Sequence, residues 1–244
     1  MKKYAHVLSP IRLGNLVLKS RFVSANALPH FLQGPEPYPT EQVIGHVVNC
    51  ARNGAAVVTF ADWTNPDQRR SFNEDGKRFP MYDLSDPSVE NYLCQLSDQV
   101  HYYGSYLSLA LMPFSAPDPL YDVNDEPAAD LKLDPRNFRD GQVDYSIAQM
   151  TRGGAAAKAL TPGMIRDIIE TQAQRAKLYQ SFGFDMVTLH FAYRATLFSR
   201  FLSPLTNRRT DAYGGPIENR ARFLLELCGR IKELCGRDFP VEVQ

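Results

Sequence analysis

Neither sign of charge is in excess: 27 lysines and arginines are matched by 27 aspartates and glutamates, a formal net charge of zero over 244 residues. Without a basic surplus there is no electrostatic footprint for nucleic acid or for an anionic membrane surface. Long apolar runs are missing at the start. Met1 to Pro10 carries Lys2 and Lys3 but no apolar stretch behind them. It reads neither as a secretion signal nor as a membrane anchor, so a cytoplasmic protein is expected. Cysteine is sparse. Cys50, Cys94, Cys228 and Cys235 match neither zinc-site spacing nor a CxxC redox pair, and no metal site is expected. A seven-residue separation puts Cys228 and Cys235 on one face of an expected helix, where packing is the simpler role.

Apolar residues make up 44% of the chain and charged ones 22%. That is enough for one sizeable core, and residues 1–244 are expected to form a single barrel-sized domain. Leu8 to Lys19 alternates apolar and polar residues about Gly14-Asn15, the pattern of a hairpin. Such a hairpin can plug the end of a barrel opposite its active site. A strand follows at Arg21 to Ser24, ending in the small run Ala25-Asn26-Ala27, which would let a flat ligand approach the backbone. Val43, Ile44, Val47, Val48 and Ala51 recur at helical spacing between Thr40 and Asn53-Gly54. Ala55 to Phe60 reads as a strand buried on both faces. Asp86-Pro87 opens a helix carrying Val89, Tyr92, Leu93, Leu96 and Val100, and Ser105 to Met112 makes the third strand. This alternation is the rhythm of parallel βα units.

The rhythm breaks between Pro113 and Leu160, a proline-rich stretch without a sustained period. It reads as a lid over the barrel mouth or as a disordered insertion. Thr161-Pro162 then starts a helix with Ile165, Ile168, Ile169, Gln172, Ala173, Ala176 and Tyr179 on one face. The fourth strand, Met186 to His190, leads into a long polar loop that closes on Gly214-Gly215-Pro216. A helix from Ile217 to Cys235 follows, with Phe223, Leu224, Leu227, Cys228, Ile231 and Leu234 inward. Phe239 to Gln244 begins a fifth strand. His190 therefore sits at the carboxyl end of a strand, where parallel α/β sheets and barrels place their chemistry.

The run Phe201 to Phe223, FLSPLTNRRTDAYGGPIENRARF, closely resembles the segment after the fourth strand in the old yellow enzyme family of flavin-dependent oxidoreductases. Leu8 to Phe22, LSPIRLGNLVLKSRF, is similar to that family's amino-terminal signature. The resemblance implies an α/β fold of the (β/α)8 TIM-barrel type with an N-terminal hairpin. Five strands do not close such a barrel, which needs roughly 250 residues even without long insertions. The expectation is an incomplete barrel of about five of eight βα units, truncated or one part of a split barrel. Its open strand edges would favour a second copy or a closing C-terminal half as partner.

The resemblance also implies FMN as cofactor, NAD(P)H as hydride donor and a conjugated carbonyl compound as small-molecule substrate. In the family the fourth strand ends in two donors that grip the substrate carbonyl, followed by a proton-donating tyrosine. The aligned residues here are His190, Tyr193 and Ala195, so only the first matches. Tyr193 is either a replacement donor or a sign that the acid is lost, with His190 left to satisfy a hydrogen bond. Ala25, Asn26 and Ala27 occupy the first strand's flavin contacts, with Leu28 at a redox-tuning position. Ala61 matches a family alanine, Ala110 stands in place of a flavin-pairing glutamine, and Gln244 in place of an arginine. Losing a charge-assisted hydrogen bond of the arginine kind costs about 1.5–3 kcal/mol. Asn207, Arg208, Arg209, Asp211, Tyr213, Glu218, Asn219 and Arg220 read as scaffold lacing the fourth loop to the following helix. Trp63 either lines the mouth or packs. The alternative to an enzyme is a non-catalytic barrel fragment that binds a partner or a small apolar ligand. A lyase or aldolase would need a lysine or carboxylates at strand ends, where the sequence offers Asp62 and little else.

Overall fold

The computed structural model describes residues 4–26, 32–33, 36–61, 82, 84, 86–111, 121–122, 158–191, 197–205 and 207–244. The chain opens with an antiparallel hairpin of β1 (Ile11–Leu13) and β2 (Leu16–Leu18), with Ile11 opposite Leu18. Gly14 at its tip has φ 57°, and a Cβ there would overlap the carbonyl oxygen of Asp238. Only glycine combines that dihedral with that close approach. Leu16 and Leu18 turn inward onto Ala56, Val57 and Met186, at or beside the amino-terminal starts of two later strands. The hairpin thus closes the amino-terminal end of the sheet, opposite His190.

Five parallel strands form that sheet: β3 (Val23–Ser24), β4 (Val57–Ala61), β5 (Tyr106–Leu111), β8 (Met186–Leu189) and β9 (Val241–Val243), in that spatial order. Two-residue strands β6 (Tyr121–Asp122) and β7 (Lys158–Ala159) pair in parallel apart from it. The helices between the main strands begin where capping chemistry places them. Thr40 accepts from Val43 N at the start of α1 (Glu41–Arg52). Asp86 accepts from Ser88 N before α2 (Pro87–Tyr102), and Thr161 from Met164 N before α3 (Pro162–Ser181). Each cap satisfies an amide with no partner inside its helix, and proline at the first helical position gives up a hydrogen bond the helix does not need. The apolar stripe expected on α3, from Ile165 to Tyr179 and including Gln172, is its buried face.

Side chains alternate across the sheet. Val58, Phe60, Leu107, Leu109, Leu111, Val187 and Leu189 join the helices in one core. The intervening residues Thr59, Ala61, Ser108, Ala110, Thr188 and Glu242 face the other way, into the concave interior. This is the incomplete (β/α)8 arrangement that the sequence suggested, with five of the strands and the hairpin.

Two local expectations need correction. The loop after β8 is not simply polar coil: α4 (Leu197–Leu202) lies within it, with Phe198 and Phe201 buried against Phe223 at ring-centroid distances of 5.3 and 4.6 Å. The helix from Ile217 is two pieces, α5 (Ile217–Arg220) and α6 (Arg222–Cys235), interrupted at Ala221. Leu160, at the end of the irregular stretch, is fully buried in the main core. The rest of 113–160 lies outside the described residues, apart from the two short strands, and so does the lid reading. Among the described residues no helix is long and apolar enough to cross a membrane.

Candidate functional site at the carboxyl rim

His190 follows β8 directly, and its amide donates to the Leu111 carbonyl at 3.3 Å, which fixes it at the carboxyl rim. Gln244 follows β9 directly, and its amide donates to the Leu189 carbonyl at 3.0 Å. Thr188 is in register with Glu242, so the next inward-facing positions, 190 and 244, are cross-strand neighbours. His190 Nδ1 and Gln244 Oε1 lie 3.1 Å apart. Burial pushes the imidazole below its ordinary pKa, with the Gln244 hydrogen bond opposing. Burial thus favours the neutral form of the imidazole.

Beside this pair the interior floor is flat. Ala61 and Ala110 are in register, Ala110 is in register with Thr188, and both alanines are buried. Methyl side chains at two adjacent strand positions leave room that a larger residue would fill. At the far side, beyond β3, Ala25 is exposed while the half-buried Asn26 has its Oδ1 enclosed with no hydrogen-bond partner among the described residues. An enclosed amide oxygen without a donor suits a ligand N–H. The structure thus brings His190, Gln244, Ala61 and Ala110 to one rim, with Asn26 at the edge of the same sheet. Ala27, Leu28, Asp62, Trp63, Tyr193 and Ala195 lie outside the described residues.

One layer below is a row that the sequence reading missed. Thr188 Oγ1 donates to Glu242 Oε2 at 2.8 Å and lies 2.8 Å from Ser108 Oγ. Counting back by two from His190 and from Gln244 would have found Thr188 and Glu242. A carboxylate therefore faces the interior near the strand ends, beyond the Asp62 noted in the sequence. A cavity of about 480 Å³ towards the amino-terminal end is lined by Leu13, Leu18, Val57, Met186, Val241 and, from this row, Glu242, whereas His190, Gln244, Ala61, Ala110 and Asn26 do not line it.

The polar run after α4 is a frame that holds the loop in place. Asn207 Nδ2 donates to the carbonyls of Phe201 and Tyr213, both at 2.7 Å. Arg220 Nε donates to the Leu202 carbonyl at 2.8 Å. Two carbonyls orphaned at the end of α4 thereby gain donors. The buried Arg209 guanidinium forks onto both oxygens of Asp211 and reaches the Leu160 carbonyl at 2.8 Å. That fork holds the Asp211 carboxyl below its usual range. Burial, helped by a 2.8 Å hydrogen bond to Glu226, pushes the Tyr213 phenol up to about 12. Gly214 is required because a Cβ would overlap the Arg209 carbonyl.

Comparison with known proteins fits this architecture. Residues 6–244 match the family model described as NADH:flavin oxidoreductase / NADH oxidase. An NADH oxidase from Thermoanaerobacter brockii is 27% identical over 252 aligned residues, covering 99% of this chain and 34% of that protein. A multifunctional alkene reductase/demethylase from Caballeronia cordobensis is 26% identical, covering 96% of this chain and 32% of that one. Among solved structures, a 2-naphthoyl-CoA reductase superposes with a TM-score of 0.70 at 20% identity, over 98% of this chain and 35% of its own. The chain thus spans about a third of the length of these relatives. On a match running almost from end to end, with the fold to accompany it, the chain belongs to the NADH:flavin oxidoreductase / NADH oxidase family, the group of the old yellow enzymes.

Proposed function

We propose that this chain supplies the flavin-facing and substrate-facing rim of an FMN-dependent NAD(P)H oxidoreductase that reduces an activated alkene conjugated to a carbonyl. The observation that carries the reading is the meeting of His190 and Gln244 at the carboxyl rim, 3.1 Å apart, beside the paired alanines Ala61 and Ala110. The residues fit a flat heteroaromatic cofactor. Ala61 and Ala110 leave its face unobstructed, and Asn26 offers an enclosed acceptor without a donor. Gln244 has amide hydrogens to spare for an electron-rich edge once its oxygen is engaged by His190. When bound, FMN would accept a hydride from the nicotinamide and deliver it to the alkene. His190 orients the oxygen function of the substrate, and Tyr193 supplies the proton. The alkene reductase from Caballeronia cordobensis supports the reaction class.

Titration of the purified chain with FMN tests this reading. The expected result is saturable quenching of flavin fluorescence, followed by loss of the yellow absorbance when NADH or NADPH is added without oxygen. Absence of saturable FMN binding would overturn it.

A further inference from the structure

The cavity of about 480 Å³ towards the amino-terminal end is built from parts of the chain far apart in sequence. The hairpin gives Leu13 and Leu18, β3 gives Val23, β4 gives Val57 and β8 gives Met186. Its size is that of a site for one small molecule rather than of a packing defect. Water fills such a space poorly, because each enclosed molecule needs two or more polar partners and these five side chains offer none. From β9 one polar side chain enters it. Glu242 lines the cavity, and among the described residues only its Oε2 is engaged, accepting from Thr188 at 2.8 Å. The other carboxylate oxygen can only accept, so it calls for a donor.

The charges around the cavity cancel. Lys232 and Arg237 are balanced by Asp238 and Glu242. Lys232 is committed to the chain itself, since Nζ donates to the carbonyls of Arg237 at 3.1 Å and Phe239 at 2.9 Å. Arg237 and Asp238 are exposed neighbours of opposite sign, screened by solvent and salt. No net field is left to draw in an ion of either sign.

We propose that this cavity is a second binding site, separate from the rim, for an uncharged molecule with a compact apolar body and a hydroxyl group that donates to Glu242. Burial of the body against Leu18, Val57 and Met186 supplies the attraction, and the hydroxyl sets its direction. None of the rim residues belongs to the site, so the proposal goes beyond the flavin-reductase reading and does not depend on it.

Calorimetry of the full chain without FMN tests this with borneol and camphor. The two share one apolar skeleton, but borneol carries a hydroxyl and camphor a carbonyl that cannot donate. Saturable binding of borneol is expected, tighter than camphor by about threefold to tenfold, the worth of one hydrogen bond. Glu242→Leu should abolish that preference. Val23 and Leu13 are 51% and 41% exposed, so an indole at either position can turn into the cavity without displacing the core. Val23→Trp and Leu13→Trp should each remove borneol binding. No saturable binding, camphor bound as tightly as borneol, or binding that survives both tryptophan variants would overturn the proposal. So would a dimer in sedimentation that both tryptophan variants break, because a second copy would then fill the cavity. Whether FMN binds bears on the functional reading alone.

Discussion

Thr188 Oγ1 and Glu242 Oε2 meet at 2.8 Å across the β8–β9 pair, and Ser108 Oγ extends the row onto β5. Three neighbouring strands are thereby joined by side chains as well as by their backbones. Thr188→Val keeps the shape of the side chain but leaves both the carboxylate and the serine without their threonine partner. A destabilisation of about 1–3 kcal/mol is expected in urea unfolding. Glu242→Gln, which retains an acceptor for Thr188, should cost less than about 1 kcal/mol. If both variants unfold at the same urea concentration, the row contributes nothing specific.

Arg209 makes a second prediction because its guanidinium is buried and serves two segments, Asp211 and the carbonyl of Leu160. Removing the guanidinium leaves the partly exposed Asp211 carboxylate and the Leu160 carbonyl without this donor. Arg209→Met should therefore cost about 1–3 kcal/mol. Arg209→Lys restores the charge without the planar fork and should fall between. A loss below about 1 kcal/mol in Arg209→Met would put this pair with ordinary surface ion pairs.

Most of this architecture could be read from the sequence because it rests on local signals. The caps at Thr40, Asp86 and Thr161 stand immediately before regular apolar spacing, and β4, β5 and β8 are short apolar runs between helices. His190 could be located because it ends one of those runs. What could not be read depends on distant partners. α4 has six residues, too few for a period to stand out, and it is held by Phe198 and Phe201 packing on Phe223 of α6. Glu242 looks like an exposed position between two valines until Thr188, 54 residues earlier, is placed beside it. The His190–Gln244 contact is hidden for the same reason, since it exists only once β8 and β9 are in register.

The exposed His101 and the partly buried Asp185 form a pair whose pH dependence has a definite sign. The hydrogen bond to Asp185 raises the His101 pKa, while burial opposes the rise. A raised folded-state value means that the imidazolium stabilises the fold. That contribution is complete below the ordinary imidazole range and is lost as pH climbs through the elevated value. The difference in urea midpoint between the unaltered chain and His101→Gln should be larger at about pH 5.5 than at about pH 9. A difference that grows towards high pH would contradict the pairing.

Gln172 is a residue whose replacement should strengthen the protein. It lies on the buried face of α3, 1% exposed, and neither Oε1 nor Nε2 has a hydrogen-bond partner among the described residues. The amide gave up its hydrogen bonds to water on folding and regains none, a penalty of about 1–3 kcal/mol by mutational measures. Methionine has nearly the same length and flexibility and carries no group that needs a partner. Gln172→Met should therefore raise the urea midpoint without changing the slope of the transition, whereas Gln172→Ala should lower it by leaving a cavity. A fall in midpoint for the methionine variant would mean that the amide is satisfied in solution by an enclosed water, which needs two or more polar neighbours. The stability of the methionine variant thus decides between a strained core position and a hydrated one.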